Sequence, residues 1–149
     1  MKEMDKDISG MLTAYREGSI DLAKFKMWIE AENPRIAAQS PRGQLLKLRH
    51  GNDYARMVAI ARLLPSCEKC AMIGAPRQFA SRQEYEVHSK RRDVLVASGT
   101  LRTITPPSWT CDSPPTAEAV MYYTCSTCGS IWVFGEPEGA ENGFWERLA

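Results

Sequence analysis

Residues 119–135 read AVMYYTCSTCGSIWVFG. Two runs rich in β-branched and aromatic side chains, 119–124 and 130–135, flank a C-S-T-C-G centre. Such runs suit strands, and the short interval between them suits a hairpin. The two residues between Cys125 and Cys128 let both thiolates of a folded-back turn reach one ion. Gly129 follows directly and can supply the positive φ that such a turn needs. The stretch therefore predicts an antiparallel hairpin with a metal-binding knuckle at its tip.

A second C-x-x-C, Cys67-Glu68-Lys69-Cys70, lies upstream. Four thiolates satisfy a tetrahedral zinc ion with Zn–S near 2.3 Å. The interval is long: 54 residues separate Cys70 from Cys125, where compact zinc ribbons have roughly 15–20. A helix and a strand must be inserted between the knuckles. The competing readings are two unrelated cysteine pairs, or a redox C-x-x-C. No thioredoxin-like βαβ pattern precedes either pair, which counts against the redox reading. A closed set of Cys67, Cys70, Cys125 and Cys128 leaves no open coordination position. The expected role of Zn2+ is therefore structural. The odd thiol, Cys111, sits in a loop rich in Pro, Ser and Thr at 106–116, which is expected at the surface with Trp109, and it is assigned no role. His50 and His88 are expected on helix faces or in packing.

The insertion supplies the required helix. Residues 81–97 place Tyr85, His88, Arg92 and Leu95 near one face. Ser81 and Glu84 form a capping-box pattern, and Gly99 ends the segment. Residues 101–105 (LRTIT) alternate as a short strand.

The chain before Cys67 has a different texture. Ile8, Met11, Leu12 and Tyr15 recur at helical spacing, and Gly18 can close that helix. Ser19 is the expected cap of a second helix carrying Leu22, Phe25 and Ile29, which Asn33-Pro34 should end. A less regular third helix is expected over 35–50. Gly51-Asn52-Asp53 is a stop-and-restart signal. A fourth helix should present Tyr54, Met57, Val58, Ala61 and Leu64 on one face, with Pro65 stopping it. Residues 1–66 thus read as a helical region and 67–149 as a zinc-ribbon-like α+β region with an inserted helix. The expected fold class is α+β: an N-terminal helical bundle packed on a small antiparallel β unit stapled by a four-Cys zinc site, as one compact unit.

Composition bounds the function. The chain has 149 residues, 44% of them hydrophobic, with a net charge of +1. That balance excludes a nucleic-acid clamp or an acidic decoy acting through bulk charge. No apolar run approaches the roughly 18–20 residues of a membrane span, and the N-terminus lacks a signal-like apolar core. A cytoplasmic protein without a membrane partner is expected, with oligomeric state unassigned.

Catalytic signatures are missing. Neither histidine starts an H-x-E, Ser66 separates Pro65 from Cys67, and no P-loop, nucleophile-elbow or H-E-x-x-H pattern occurs. The expectation is a non-enzymatic protein.

The near-zero charge conceals a split. Residues 1–66 carry +3, residues 67–98 carry +2 and residues 99–149 carry −4. Glu136, Glu138, Glu141 and Glu146 alternate with Phe134, Phe144 and Trp145 in the acidic part. Aromatic anchors beside carboxylates suit a cationic protein partner, so Glu136, Glu138, Glu141, Phe144 and Trp145 are the candidate contacts. The bland reading makes Trp132 and Phe134 core residues of the hairpin and the glutamates a solvated surface. The alternative is a regulatory nucleic-acid-binding zinc ribbon, with Lys90, Arg91 and Arg92 on phosphates. The flanks of the second knuckle carry no basic residue, which counts against it.

Tyr123, Cys125, Cys128, Gly129 and Trp132 form Y-x-C-x-x-C-G-x-x-W, followed by an acidic, Gly-containing tail (Glu136-Pro137-Glu138, then Asn142-Gly143). Over residues 120–148 this resembles the zinc-ribbon end of small bacterial immunity proteins of polymorphic or contact-dependent toxin systems. The resemblance implies a stoichiometric inhibitor that binds a cognate protein toxin, often a nuclease with a basic surface. The chain departs from that pattern in lacking a strong overall negative charge.

Overall fold

In the computed structural model, residues 4–74, 77–107, 109 and 120–149 are described; Cys111 lies outside them. The chain divides into two units, Met1–Pro65 with Ala149, and Ser66–Leu148.

The first unit holds four helices: α1 (Lys6–Glu17), α2 (Leu22–Gln39), α3 (Arg42–His50) and α4 (Asp53–Leu63). Helix α1 buries Ile8, Leu12 and Tyr15, which lie at helical spacing on one face. Gly18 closes it in the left-handed region at φ 81°, and the N–H groups of Gly18 and Ser19 satisfy the Tyr15 and Ala14 carbonyls.

Three expectations for this unit need correction. Asp21, not Ser19, caps α2, its carboxylate accepting from the Lys24 N–H at 2.8 Å. A carboxylate at a helix N-terminus also meets the positive end of the dipole. Pro34 does not end α2, and no helix begins at residue 35. Pro34 is exposed, so water can serve the carbonyl that its missing N–H leaves unpaired. Ile29 and Ile36, buried on either side of it, hold both halves in the core. Finally, the buried residues of α4 are Arg56, Met57, Ala59 and Ile60. The helix is turned relative to the expected face because Arg56 points inward. Its Nε donates to the Tyr15 hydroxyl at 3.1 Å, and its other nitrogens bond the Gly51 carbonyl and the Asp53 carboxylate. The expected stop and restart at Gly51-Asn52-Asp53 is present, with Asn52 capping α4 by accepting from Ala55 N–H at 2.8 Å.

The second unit contains α5 (Glu68–Ala71), β1 (Arg77–Gln78), α6 (Arg82–Ala97), β2 (Leu101–Ile104), β3 (Val120–Cys125), β4 (Ile131–Gly135) and β5 (Phe144–Arg147). The strands form an antiparallel sheet in the order β1-β5-β4-β3-β2. The expected hairpin is its centre, with Tyr123 opposite Trp132 and Met121 opposite Phe134. With helices and an antiparallel sheet, the fold class is α+β.

Period-two alternation puts Cys125, Tyr123, Trp132, Phe134, Trp145 and Leu101 on one face. These side chains form a core with Cys70, Ile73 and Phe79, and with Leu95 of α6. Trp132 and Trp145 stack with centroids 4.4 Å apart and planes 3° from parallel. Such pairs contribute about 0.5–1.5 kcal/mol beyond their burial. Ser81 caps α6 as expected, its hydroxyl accepting from Glu84 N–H at 3.1 Å while Glu84 accepts from Ala80 N–H at 3.3 Å. Trp109, expected on a surface loop, is buried. Among the described residues no helix is long and apolar enough to cross a membrane.

Candidate metal centre

The two C-x-x-C pairs meet. The Sγ atoms of Cys67, Cys70, Cys125 and Cys128 all lie within 4.8 Å of one another. Three of the separations are 3.5 Å (Cys67–Cys125), 3.7 Å (Cys67–Cys70) and 3.7 Å (Cys70–Cys128). Four sulfurs at about 2.3 Å from a tetrahedral centre would stand roughly 3.8 Å apart. No disulfide joins them, and the donor set fits a metal ion. Such a set of four thiolates selects zinc or iron–sulfur chemistry over hard cations.

Local structure explains how each pair is presented. Cys67 precedes α5, and its carbonyl accepts from Ala71 N–H at 3.1 Å; this single turn brings Cys70 beside it. In the second knuckle, Gly129 N–H donates to the Cys125 carbonyl at 2.9 Å, and Cys125 N–H to the Ser130 carbonyl at 2.9 Å. Gly129 has φ 74°, the left-handed conformation expected from its position.

The 54 residues between the pairs do not loosen the site, because they return to it. Helix α6 and β2 fill the interval as expected, and Leu101 pairs with Cys125 across β2 and β3. Ser126 then ties the knuckle to the turn between α6 and β2. Its N–H donates to the Thr100 carbonyl and its hydroxyl to the Gly99 carbonyl, both at 2.8 Å.

The thiols are electrostatically crowded. Burial pushes the Cys70 thiol far up, reinforced by Cys128 and Cys125 beside it. Burial also raises Cys125, against the backbone amides of Cys128 and Thr127 that face its sulfur. Cys128 differs. Burial acts to raise it, but the Ser130 hydroxyl and the backbone amides of Cys67 and Ser130 prevail, lowering it to about 6. Four thiolates cannot share this space without a cation, so metal uptake must displace protons and favour higher pH. Ser130, fully buried with its Oγ 3.1 Å from Cys128 Sγ, is a supporting residue that the sequence did not single out. A Ser after Cys-Gly belongs to no ligand pattern, so no signal marked it.

The other candidate residues are placed as follows. Glu136 is half-buried; it accepts from the Tyr85 hydroxyl and pairs with Arg92 at 3.3 Å. Arg92 also stands 4.5 Å over the Phe134 ring and donates to the Ser89 hydroxyl at 2.9 Å. Glu136 and Arg92, assigned to opposite readings, thus bind each other. Trp145 is fully buried on Trp132 and is a core residue, not an exposed anchor. Phe144 is half-buried, whereas Glu138 and Glu141 are exposed in the turn before β5, bridged to each other through backbone hydrogen bonds of 3.1 and 2.9 Å. Lys90 and Arg91 are exposed on α6. His88 is a packing residue, stacked on Phe79 at 4.9 Å.

No family model, curated protein or solved structure significantly matches the chain. The functional reading therefore rests on the geometry of the site and the chemistry of its residues.

Proposed function

We propose that the chain is a zinc-stabilised, non-enzymatic protein-binding module of the cytoplasm. The observation that carries this reading is the closed cluster of four thiols, two of them buried, joining α5 to the central hairpin. Zinc held by four cysteines has no vacant position for a substrate or an activated water, so it acts as a staple. A protein so stapled presents rigid surfaces. The specific form implied by the C-terminal resemblance is an immunity protein that neutralises a cognate bacterial toxin.

What supports a contact at the acidic turn is the exposure of Glu138 and Glu141 next to half-buried Phe144. Exposed carboxylates around an aromatic anchor accelerate encounter with a cationic partner. Glu136 and Trp145 are engaged within the unit and take no part in that proposal. The test is co-expression with the product of the adjacent reading frame, comparing the natural chain with the Glu138→Lys, Glu141→Lys double variant. The expected result is a stoichiometric complex that weakens in the variant while zinc content is unchanged. An equally stable complex would move the interface elsewhere, and no complex with a neighbouring toxin would remove the immunity reading.

A further inference from the structure

A groove of about 330 Å³, lined in part by Arg77, Ser81, Glu84, Val87, His88 and Arg91, runs beside the first half of α6. None of the four cysteines lines it, and it has no part in the function proposed above. Its charges are unbalanced. Arg77 is engaged by Glu84, Nε to Oε1 at 2.6 Å. Among the described residues Arg91 forms no ion pair; its Nη1 donates to the Ile73 carbonyl at 3.3 Å. Two guanidiniums thus face one carboxylate.

His88 adds a second, independent observation. It is only 4% exposed, yet its Nδ1 has no hydrogen-bond partner among the described residues. A buried polar atom left unpaired is costly, and a ligand that satisfies it recovers that cost. The Gly74 backbone packs closely against the imidazole edge. A Cβ on Gly74 would stand 3.0 Å from His88 Cε1, 3.8 Å from His88 Nδ1 and 3.9 Å from Arg91 Nη1. The His88 Nδ1 and the Arg91 guanidinium therefore lie close together beside Gly74, and both residues line the groove.

We propose that this groove binds the phosphate group of a small ligand. Phosphate suits it better than a carboxylate does. A planar guanidinium meets two phosphate oxygens at once, and the remaining oxygens are left for further donors. Arg91 and Arg77 supply such forks, Ser81 a hydroxyl, and His88 a ring N–H. The volume lies at the small end of ligand sites, enough for a phosphate with a short organic stem. The first turn of α6 adds positive potential at the same place. Burial, then the charges of Arg91 and Arg77, hold the His88 pKa below its ordinary value, with Glu84 and the Ile73 backbone opposing. An anion placed among these groups favours the protonated ring, so binding and His88 protonation are coupled.

The test is NMR of the two histidines in the full zinc-loaded chain, titrated with inorganic phosphate and with glycerol 3-phosphate. His50, in α3 of the other unit, is the internal reference. The expected result is a saturable shift of the His88 ring signals with a raised His88 pKa, while His50 stays unmoved. Sodium chloride of equal ionic strength should not reproduce it. Tighter binding of the ester would mark an organic phosphate as ligand, and equal binding free phosphate. Arg91→Gln should weaken binding at least about tenfold, the scale of losing a charge-assisted pair. Glu84→Gln, which keeps the cap but frees Arg77, should tighten it. The proposal is overturned if no saturable shift occurs, if His50 shifts equally, or if Arg91→Gln binds as before. A shift seen only with an oligonucleotide overturns it in favour of a nucleic-acid surface.

Discussion

Two residues show how much depends on a single atom. Gly143 has φ 89°, and a Cβ there would stand 2.3 Å from the Gly135 carbonyl oxygen, a backbone atom that cannot step aside. Gly143→Ala should therefore lower unfolding free energy by more than about 1 kcal/mol, measured by chemical denaturation, with the thiol cluster still able to load metal. Ser130 acts on the site itself. Its hydroxyl can donate to a Cys128 thiolate, and supporting partners of this kind typically contribute about 10–100-fold to metal affinity. Ser130→Ala should release zinc to a competing chelator at least about tenfold more readily. Unchanged transfer would show that the backbone amides alone hold Cys128. The four cysteines were legible because C-x-x-C spacing is itself a statement about reach. Gly129 was legible because the turn demands positive φ. Ser130 was not, because its role exists only once Cys125 and Ser130 are joined by the knuckle's hydrogen bond.

Among the elements, the hairpin, α6 and β2 could be read because their signals are local: β-branched and aromatic runs in the strands, and a capping box at Ser81 and Glu84 for α6. The acidic tail could not. Strand β5 is four residues long, too short for alternation to stand out, and its Glu146 and exposed turn gave the segment a solvated look. Pairing with both β1 and β4 makes it an interior strand, and that pairing is non-local. The interaction of α6 with the end of β4 was hidden for the same reason. Arg92 and Glu136 are 44 residues apart in sequence and 3.3 Å apart in space. Arg92 has 12% of its side chain exposed and Glu136 34%. Removing one partner leaves a half-buried charge uncompensated. Arg92→Met should therefore destabilise by about 1–3 kcal/mol, and adding Glu136→Gln should restore part of the loss. A double variant no more stable than the single one would show that Arg92 acts through its contact with Phe134 instead. In the helical unit, Pro34 was misread because local punctuation outweighed the two-turn spacing of Ile29 and Ile36, which only tertiary burial reveals.

For the molecule as a whole, the split of charge between a mildly basic helical part and an acidic C-terminal part was visible in composition. Much of its apparent meaning dissolves where Arg92 meets Glu136. What endures is the convergence of Cys67, Cys70, Cys125 and Cys128 across a long insertion. Structural zinc in small domains contributes an apparent 10–16 kcal/mol, against a typical net stability of about 5–15 kcal/mol for a whole domain. A metal bound at this site would therefore contribute as much as the whole net stability of a domain. Acidification should release the ion, since its ligands must be thiolates, and thermal stability should fall with it. Native mass spectrometry of the purified chain, run beside its Cys125→Ser variant, is the most direct test. One zinc per chain is expected, absent from the variant, which should also melt at lower temperature. A natural chain without zinc, or a variant with the same metal content, would contradict that expectation.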